Sequence, residues 1–276
     1  MSKKRVLFIS QEITPYLPEN ELSTIARNLP QGIQESGKEI RTFMPRYGCI
    51  NERRHQLHEV IRLSGMNIII DENDHPLIIK VASIQPARMQ VYFIDNEDFF
   101  QRKALFNDKE SGAFFDDNDE RSIFFCKGVL ETVKKLGWTP DIIHCHGWMT
   151  SLVPVYLKTA YKNEPVFANS KIVTSLYNNP FNGKLNKNYA KKALMDGLSD
   201  EDLNGLANPS FENLQKLALE YSDAAIMGSQ SLPKELQKAF DEFERPKLNY
   251  VNEDEYIKHY SDFYDEILET AEVLTD

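Results

Sequence analysis

Short apolar runs alternate along this chain with longer stretches whose apolar positions recur at helical spacing. Arg5–Ser10 (R-V-L-F-I-S) is apolar with little alternation, the pattern of a strand buried on both faces of a parallel sheet. A polar loop carrying Pro15 and Pro18 follows. From near Asn20, the residues Leu22, Ile25, Ala26 and Leu29 predict a helix that kinks at Pro30 and stops at Gly37. Residues 40–44 read as the second strand, closed by Pro45, so the chain opens with a β-α-β unit. Residues 67–71, 77–84 and 89–95 are three strand-like runs with little helix between them. Turn signals at Asn73-Asp74 and Gln85-Pro86 predict local antiparallel pairing there. A long helix is predicted over 119–136, with Phe125, Val129, Val133 and Leu136 on one face and Gly137 at its end. Buried strands follow at 141–144, 171–176 and 224–227, the last leading into a helix with Pro233 near its first turn. Over 253–270, Tyr256, Tyr260, Phe263, Tyr264, Ile267 and Leu268 form an aromatic stripe opposite an acidic face, which predicts a docked helix rather than a cofactor box. The whole pattern predicts an α/β fold with a doubly wound, mainly parallel sheet and a C-terminal helix docked on it.

Composition narrows the function classes. The chain has 276 residues, 41% hydrophobic and 27% charged, which is ordinary for a globular domain. No apolar run approaches the ~20 residues of a membrane-spanning helix. The apolar run after Lys3, Lys4 and Arg5 is too short for a signal-peptide core, so a cytoplasmic protein is expected. Cys49, Cys126 and Cys145 cannot all pair and form no C-x-x-C motif, which suits reduced thiols. A net charge of −10 argues against nucleic-acid binding. Residues 252–276 hold nine carboxylates and one lysine, the composition of a solvated helix face or of a surface for a basic partner.

Several motifs carry candidate chemistry. G-I-Q-E-S-G-K (32–38) nearly spells a phosphate-binding loop, but Glu39 replaces the Mg²⁺-holding Ser/Thr and the stretch leaves a helix instead of entering one. No two glycines are separated by a single residue, so the dinucleotide fingerprint G-x-G-x-x-G is absent and no cofactor is implied. His144-Cys145-His146 closes a predicted strand, and in extended geometry both imidazoles point to one face. Three readings stay open: a metal site, contact with a sugar or phosphate, or structural hydrogen bonding. A metal site would need a third ligand, and no motif supplies one; His55, His58 and Glu59 share helical spacing in a charged segment. Asp116-Asp117-Asn118 is either a catalytic carboxylate group or a helix cap.

In order along the chain, these segments resemble the N-terminal domain of bacterial glycogen and plant starch synthases, over about residues 4–240. V-L-F-I-S-Q-E-I-T-P resembles the family's opening strand and loop, and M-P-R-Y-G (44–48) its P-x-Y-G strand end. V-Y-F-I-D-N-E-D-F-F and then D-D-N-D-E-R (116–121) resemble the run into its central helix. The clearest block, P-D-I-I-H-C-H-G-W-M-T-S-L-V-P-V-Y-L-K, resembles P-D-[IV]-[IV]-H-x-H-D-W-H-T-x-L-x-P-x-Y-L-K. Y-N-N-P-F-N-G (177–183) resembles H-N-x-x-Y-Q-G, and Y-S-D-A-A-I-M-G-S-Q the later A-D-x-V-x-T-V-S strand. The resemblance implies the Rossmann-like N-terminal half of a GT-B glycosyltransferase. In that family ADP-glucose is held mostly by a second domain, and glucan lies across the cleft. This chain stops where that second domain is expected, and its last helix resembles the one that returns to the first domain, so the resemblance implies an N-terminal Rossmann-like domain over 1–240 with the acidic, aromatic segment 241–276 packed on it.

What the resemblance implies for single residues is mixed. His146 matches the family's catalytic-site histidine, and Glu12, Asp117, Asn118, Arg121, Trp148, Tyr177 and Asn178 fall at substrate-binding positions. The family's K-T-G-G-L loop is Pro18-Glu19-Asn20-Glu21-Leu22 here: a cation and both glycines are gone and two carboxylates are gained. The Asp two residues beyond that Leu is Thr24. The Asp of H-x-H-D-W-H is Gly147, its last His is Met149, and the His of H-N-x-x-Y-Q-G is Tyr177. Transfer through a charged transition state depends on placed polar groups, so these losses imply a domain unable to transfer glucose alone, with a regulatory or glucan-binding role in α-1,4-glucan metabolism. Two alternatives follow: an active ADP-glucose:glucan glucosyltransferase whose nucleotide-binding half is supplied by a partner chain, and a metal-assisted hydrolase built on His144 and His146.

Overall fold

A computed structural model describes residues 3–252 and 254–273. Its strands are β1 (Arg5–Ser10), β2 (Glu39–Pro45), β3 (His58–Glu59), β4 (Met66–Ile70), β5 (Asn73–Ile84), β6 (Met89–Asp95), β7 (Ile142–His146), β8 (Lys171–Leu176), β9 (Ala224–Met227) and β10 (Lys247–Leu248). Among the described residues they form one ten-stranded sheet in the order β10-β9-β8-β7-β1-β2-β6-β5-β3, with β4 on β5. From β10 to β6 every neighbouring pair is parallel, whereas β3, β4 and β6 pair with β5 antiparallel. The α/β class, the doubly wound order and the local antiparallel strands therefore agree with the pattern read from the sequence.

Strand alternation sorts the core into two layers. Leu7, Ile9, Ile143 and Cys145 face a large layer that includes Phe125, Val129 and Val133 of the central helix, Asn118–Leu136. Val6, Phe8 and Ile142 face a second layer with Leu29 and Ile33 of the first helix, Glu21–Glu35, and the aromatic stripe of the C-terminal helix, Tyr256–Val273. Tyr256, Tyr260, Phe263, Tyr264, Ile267 and Leu268 are all buried. At roughly 1.5–3 kcal/mol per large apolar side chain removed from water, this stripe is what seats the helix. The two helices nearly touch at Gly32, where an added Cβ would lie 2.4 Å from Ile257 Cγ2. Lys38 Nζ adds bonds to Asp265 (2.9 Å) and Ser261 (2.8 Å).

Some boundaries differ from expectation. The turn expected at Asn73-Asp74 lies inside β5; the chain reverses at Asp71 and Glu72, both at positive φ (46° and 66°). The first helix does agree: it passes through the buried Pro30 to Glu35, and Gly37 follows its cap at φ 98°. His55 ends a short helix while His58 and Glu59 form β3, so the helical spacing read there does not exist. β7 extends to His146, which places both histidines within the strand. The C-terminal helix starts at Tyr256; its predicted first residue, 253, lies outside the described residues, as do 274–276. The three cysteines stand unpaired. Among the described residues no helix is long and apolar enough to cross a membrane.

Candidate functional site

The chain winds to one side of β1 through β2 and to the other through β7, so the direction of winding reverses between β1 and β7. The carboxyl ends of those two strands frame the crevice where sheets of this kind bind ligands. Gln11 leaves β1 with its backbone N–H on His146 O (3.1 Å) and its side chain turned into the crevice. There Gln11 Oε1 accepts from Met149 N (3.3 Å), and Nε2 donates to Glu12 Oε1 (2.8 Å). Gly147 makes room for this. It sits at φ 89°, where side-chain-bearing residues are strained, and an added Cβ would lie 2.5 Å from the Gln11 amide. The aspartate that the family resemblance places at 147 is therefore incompatible with this local backbone.

The same crevice edge contains the start of the first helix. Asn20 caps it: Oδ1 accepts from Ser23 N (2.8 Å), and Ser23 Oγ accepts from Asn20 N (2.9 Å). Asn20 Nδ2 also donates to Glu12 Oε2 (2.8 Å), so the Glu12 carboxylate is bonded on both oxygens. One residue on, the Glu21 carboxylate accepts from Ser229 Oγ, which in turn accepts from Asn178 N (2.9 Å). The helix start is thus tied to the segments after β1, β8 and β9. Helix N-termini attract anions through unpaired N–H groups and the macrodipole. Here one such N–H is already used by Asn20, and the Glu21 carboxylate lies in the first turn.

His144 and His146 project from β7 toward the C-terminal helix, with ring centroids 3.9 Å apart. His144 uses both nitrogens, Nδ1 with Tyr264 Oη (2.6 Å) and Nε2 with Ser175 Oγ (2.7 Å). His146 pairs Nδ1 with Tyr177 Oη (2.7 Å), while its buried Nε2 has no partner. Burial pushes His144 well below the usual histidine value, helped by His146, and takes His146 down to about 3, so both rings are neutral near pH 7. Burial also lifts the Tyr177 phenol well above 10, which keeps it protonated. With the phenol donating to Nδ1, the imidazole proton of His146 sits on Nε2, a buried donor whose missing acceptor costs about 1–3 kcal/mol. The Tyr177 ring fits because residue 228 is glycine; a Cβ there would lie 2.6 Å from it. No group of three or more His, Cys, Asp or Glu side chains gathers as a metal site among the described residues.

The remaining predicted positions fall on the central helix and the loop that covers it. Asp117 is the N-cap residue but bonds Arg102 instead of the helix, at 2.6 Å. Asn118 donates to Phe106 O (2.9 Å). Arg121 is fully buried and spends its guanidinium on Phe99 O (2.8 Å), Leu105 O (2.6 Å) and Asn118 Oδ1 (2.6 Å). Burial lowers its pKa to about 10. These three residues hold loop 99–106 in place. Trp148 is buried against Phe106 and Phe181, each with its centroid 5.0 Å away. Asn178 is exposed at the mouth. The structure thus brings Glu12, His146, Tyr177 and Asn178 to the crevice edge. Sequence reading missed Gln11, Ser175 and Ser229, although Gln11 and Ser229 stand inside segments that carry the family resemblance; their position at or just past the carboxyl ends of strands was the available signal.

Comparison with known proteins places this geometry. Residues 5–249 match the model of the starch synthase catalytic domain. A glycogen synthase of Chlorobium luteolum is 37% identical over 227 residues, covering 82% of this chain and 45% of that protein. One of Chlorobaculum parvum is 35% identical over 238 residues, 84% of this chain and 47% of its own length. The chain spans about half the length of the curated relatives it matches. Among solved structures, the catalytic domain of starch synthase IV from Arabidopsis thaliana, bound to ADP and acarbose, superposes with a TM-score of 0.72 at 19% identity, covering 91% of this chain and 52% of that one.

Proposed function

The chain belongs to the starch synthase catalytic domain family, and from that premise we propose that it binds α-glucan but does not itself transfer glucose. Residues 1–240 act in this reading as a Rossmann-like GT-B half, with 241–276 as its acidic cover. The observation that carries the reading is the closed start of the first helix. Asn20 caps it, Glu12 holds Asn20, and Glu21 is tied through Ser229 to the segment after β8. A diphosphate approaching there meets carboxylates at Glu12 and Glu21, each repelling by at least ~1 kcal/mol at a 4 Å approach. The polar groups lost at Gly147, Met149 and Tyr177 support the same reading, because transfer needs placed charge at the reacting carbon.

The sugar-facing part is better preserved. His146 keeps an unspent Nε2 donor that is buried in this structure, and Asn178 is exposed at the mouth; a hydroxyl-rich ligand that reached the imidazole would supply the acceptor it lacks. His144 stays outside this role, since Tyr264 and Ser175 already occupy both of its nitrogens.

One experiment tests both halves of the reading. The purified chain is incubated with glycogen and radiolabelled ADP-glucose, and the glycogen is then sedimented. The protein should pellet with glycogen while label in the polymer stays at the level of a protein-free control. Incorporation of label overturns the loss of transfer, and protein left in the supernatant overturns glucan binding.

A further inference from the structure

Away from the crevice, at the amino-terminal end of the parallel sheet, the beginnings of β2 and β6 leave a small basic recess. Its volume is about 180 Å³, and its lining is Gln34, Ile40, Arg41, Arg88, Gln90 and Tyr92, together with Met89. The lining contains two guanidinium groups, two carboxamides and no carboxylate, in a protein whose net charge is −10.

Its polar groups are short of acceptors. Arg41 lies over the rings of Tyr92 and Trp138, at 5.6 and 5.2 Å, which fixes the plane of its guanidinium. Its NH1 donates to Tyr92 Oη (2.6 Å), while its buried Nε has no partner. Arg41 also interacts electrostatically with Glu39, whose carboxylate already accepts from Trp138 Nε1 (2.5 Å) and Arg5 Nε (3.2 Å). Arg88 stands at a left-handed residue (φ 48°) that ends a single 3-10 turn, and its exposed side chain lines the recess together with Arg41. Among the described residues, the side chains of Arg88, Gln34 and Gln90 have no hydrogen-bonding or ion-pair partner. Two guanidiniums with spare N–H groups, flanked by amide donors, match the geometry of an oxyanion.

We propose that this recess binds the phosphate group of a small phosphorylated molecule, with Arg41 and Arg88 on the phosphate oxygens and the Gln34 and Gln90 amides beside them. The site lies at the opposite end of the strands from the crevice, so its occupancy is independent of the reading above. Its size suits a phosphomonoester, and the walls of Ile40, Met89 and Tyr92 face whatever the phosphate carries.

Calorimetric titration of the whole chain with inorganic phosphate, and separately with glycerol phosphate, tests this. Arg88→Ala should weaken binding of both by about tenfold or more, the usual range for one charge-assisted hydrogen bond. Gln90→Glu, which places a carboxylate in the recess, should abolish it. Both residues are exposed, so neither change threatens the fold. Arg62→Ala, at an exposed arginine outside the recess, should leave binding intact. Absence of binding by the unaltered chain overturns the proposal. So does binding that survives Arg88→Ala and Gln90→Glu, or that falls equally in Arg62→Ala.

Discussion

His144 and His146 show how a single pair of side chains couples sequence, burial and pH. Both are held neutral by burial, His146 with a pKa of about 3 against a usual 6.5. As pH falls through 6.5 the unfolded chain takes up protons that the folded chain refuses, so stability declines from there toward pH 3. For His146 this amounts to about 1.4 kcal/mol per pH unit, or about 2 kcal/mol between pH 6.5 and 5. Urea denaturation at pH 7 and pH 5 checks this, with His146→Gln expected to show a shallower loss than the unaltered chain; equal slopes would contradict it. The shared facing of the two rings was legible from the H-x-H spacing in a strand. Their partners were not, because Tyr264 lies 120 residues further along the chain and Ser175 and Tyr177 31 residues further. No local pattern announces a hydrogen bond made across a sheet. The same limit hid the Gln11 side chain in the crevice, and with it the reason that residue 147 is glycine.

Between elements, the seating of the C-terminal helix on the first helix is the contact most open to test. The aromatic stripe predicted a docked helix and the structure seats it on the sheet, because a stripe of six large apolar residues has few other places to go. What the stripe could not reveal was its partner, since the close approach at Gly32 becomes visible only when Ile257 is beside it. Gly32→Ala adds a methyl 2.4 Å from the Ile257 side chain. Overpacking of this kind costs about 1–3 kcal/mol, more than the roughly 0.5–1 kcal/mol that alanine gains over glycine inside a helix. Gly32→Ala should therefore destabilise the chain, yet stabilise it in an Ile257→Ala background, where the obstruction is gone. Urea denaturation of the four proteins of this cycle measures the coupling, and equal effects of Gly32→Ala in both backgrounds would contradict it. Elsewhere, short runs misled at their ends. β3 and β10 are two residues long and below the reach of any pattern, and the hairpin between β4 and β5 turns two residues earlier than its Asn-Asp signal.

At the scale of the molecule, the chain has the fold of the starch synthase catalytic domain family, and the proposed loss of transfer rests on one end of its crevice. Parallel order, winding reversal between β1 and β7, and layered cores follow from apolar runs that the sequence displays openly. The changed part comprises Asn20 and Glu21 at the helix start, which bond Glu12 beneath them and Ser229 opposite. Their substitution was readable against the family's pattern, but the bonds that join them appear only in three dimensions. Titration of ADP-glucose into the isolated chain by calorimetry tests the resulting claim most directly. The account predicts no heat of binding at millimolar sugar nucleotide; a saturable isotherm with micromolar affinity would contradict it.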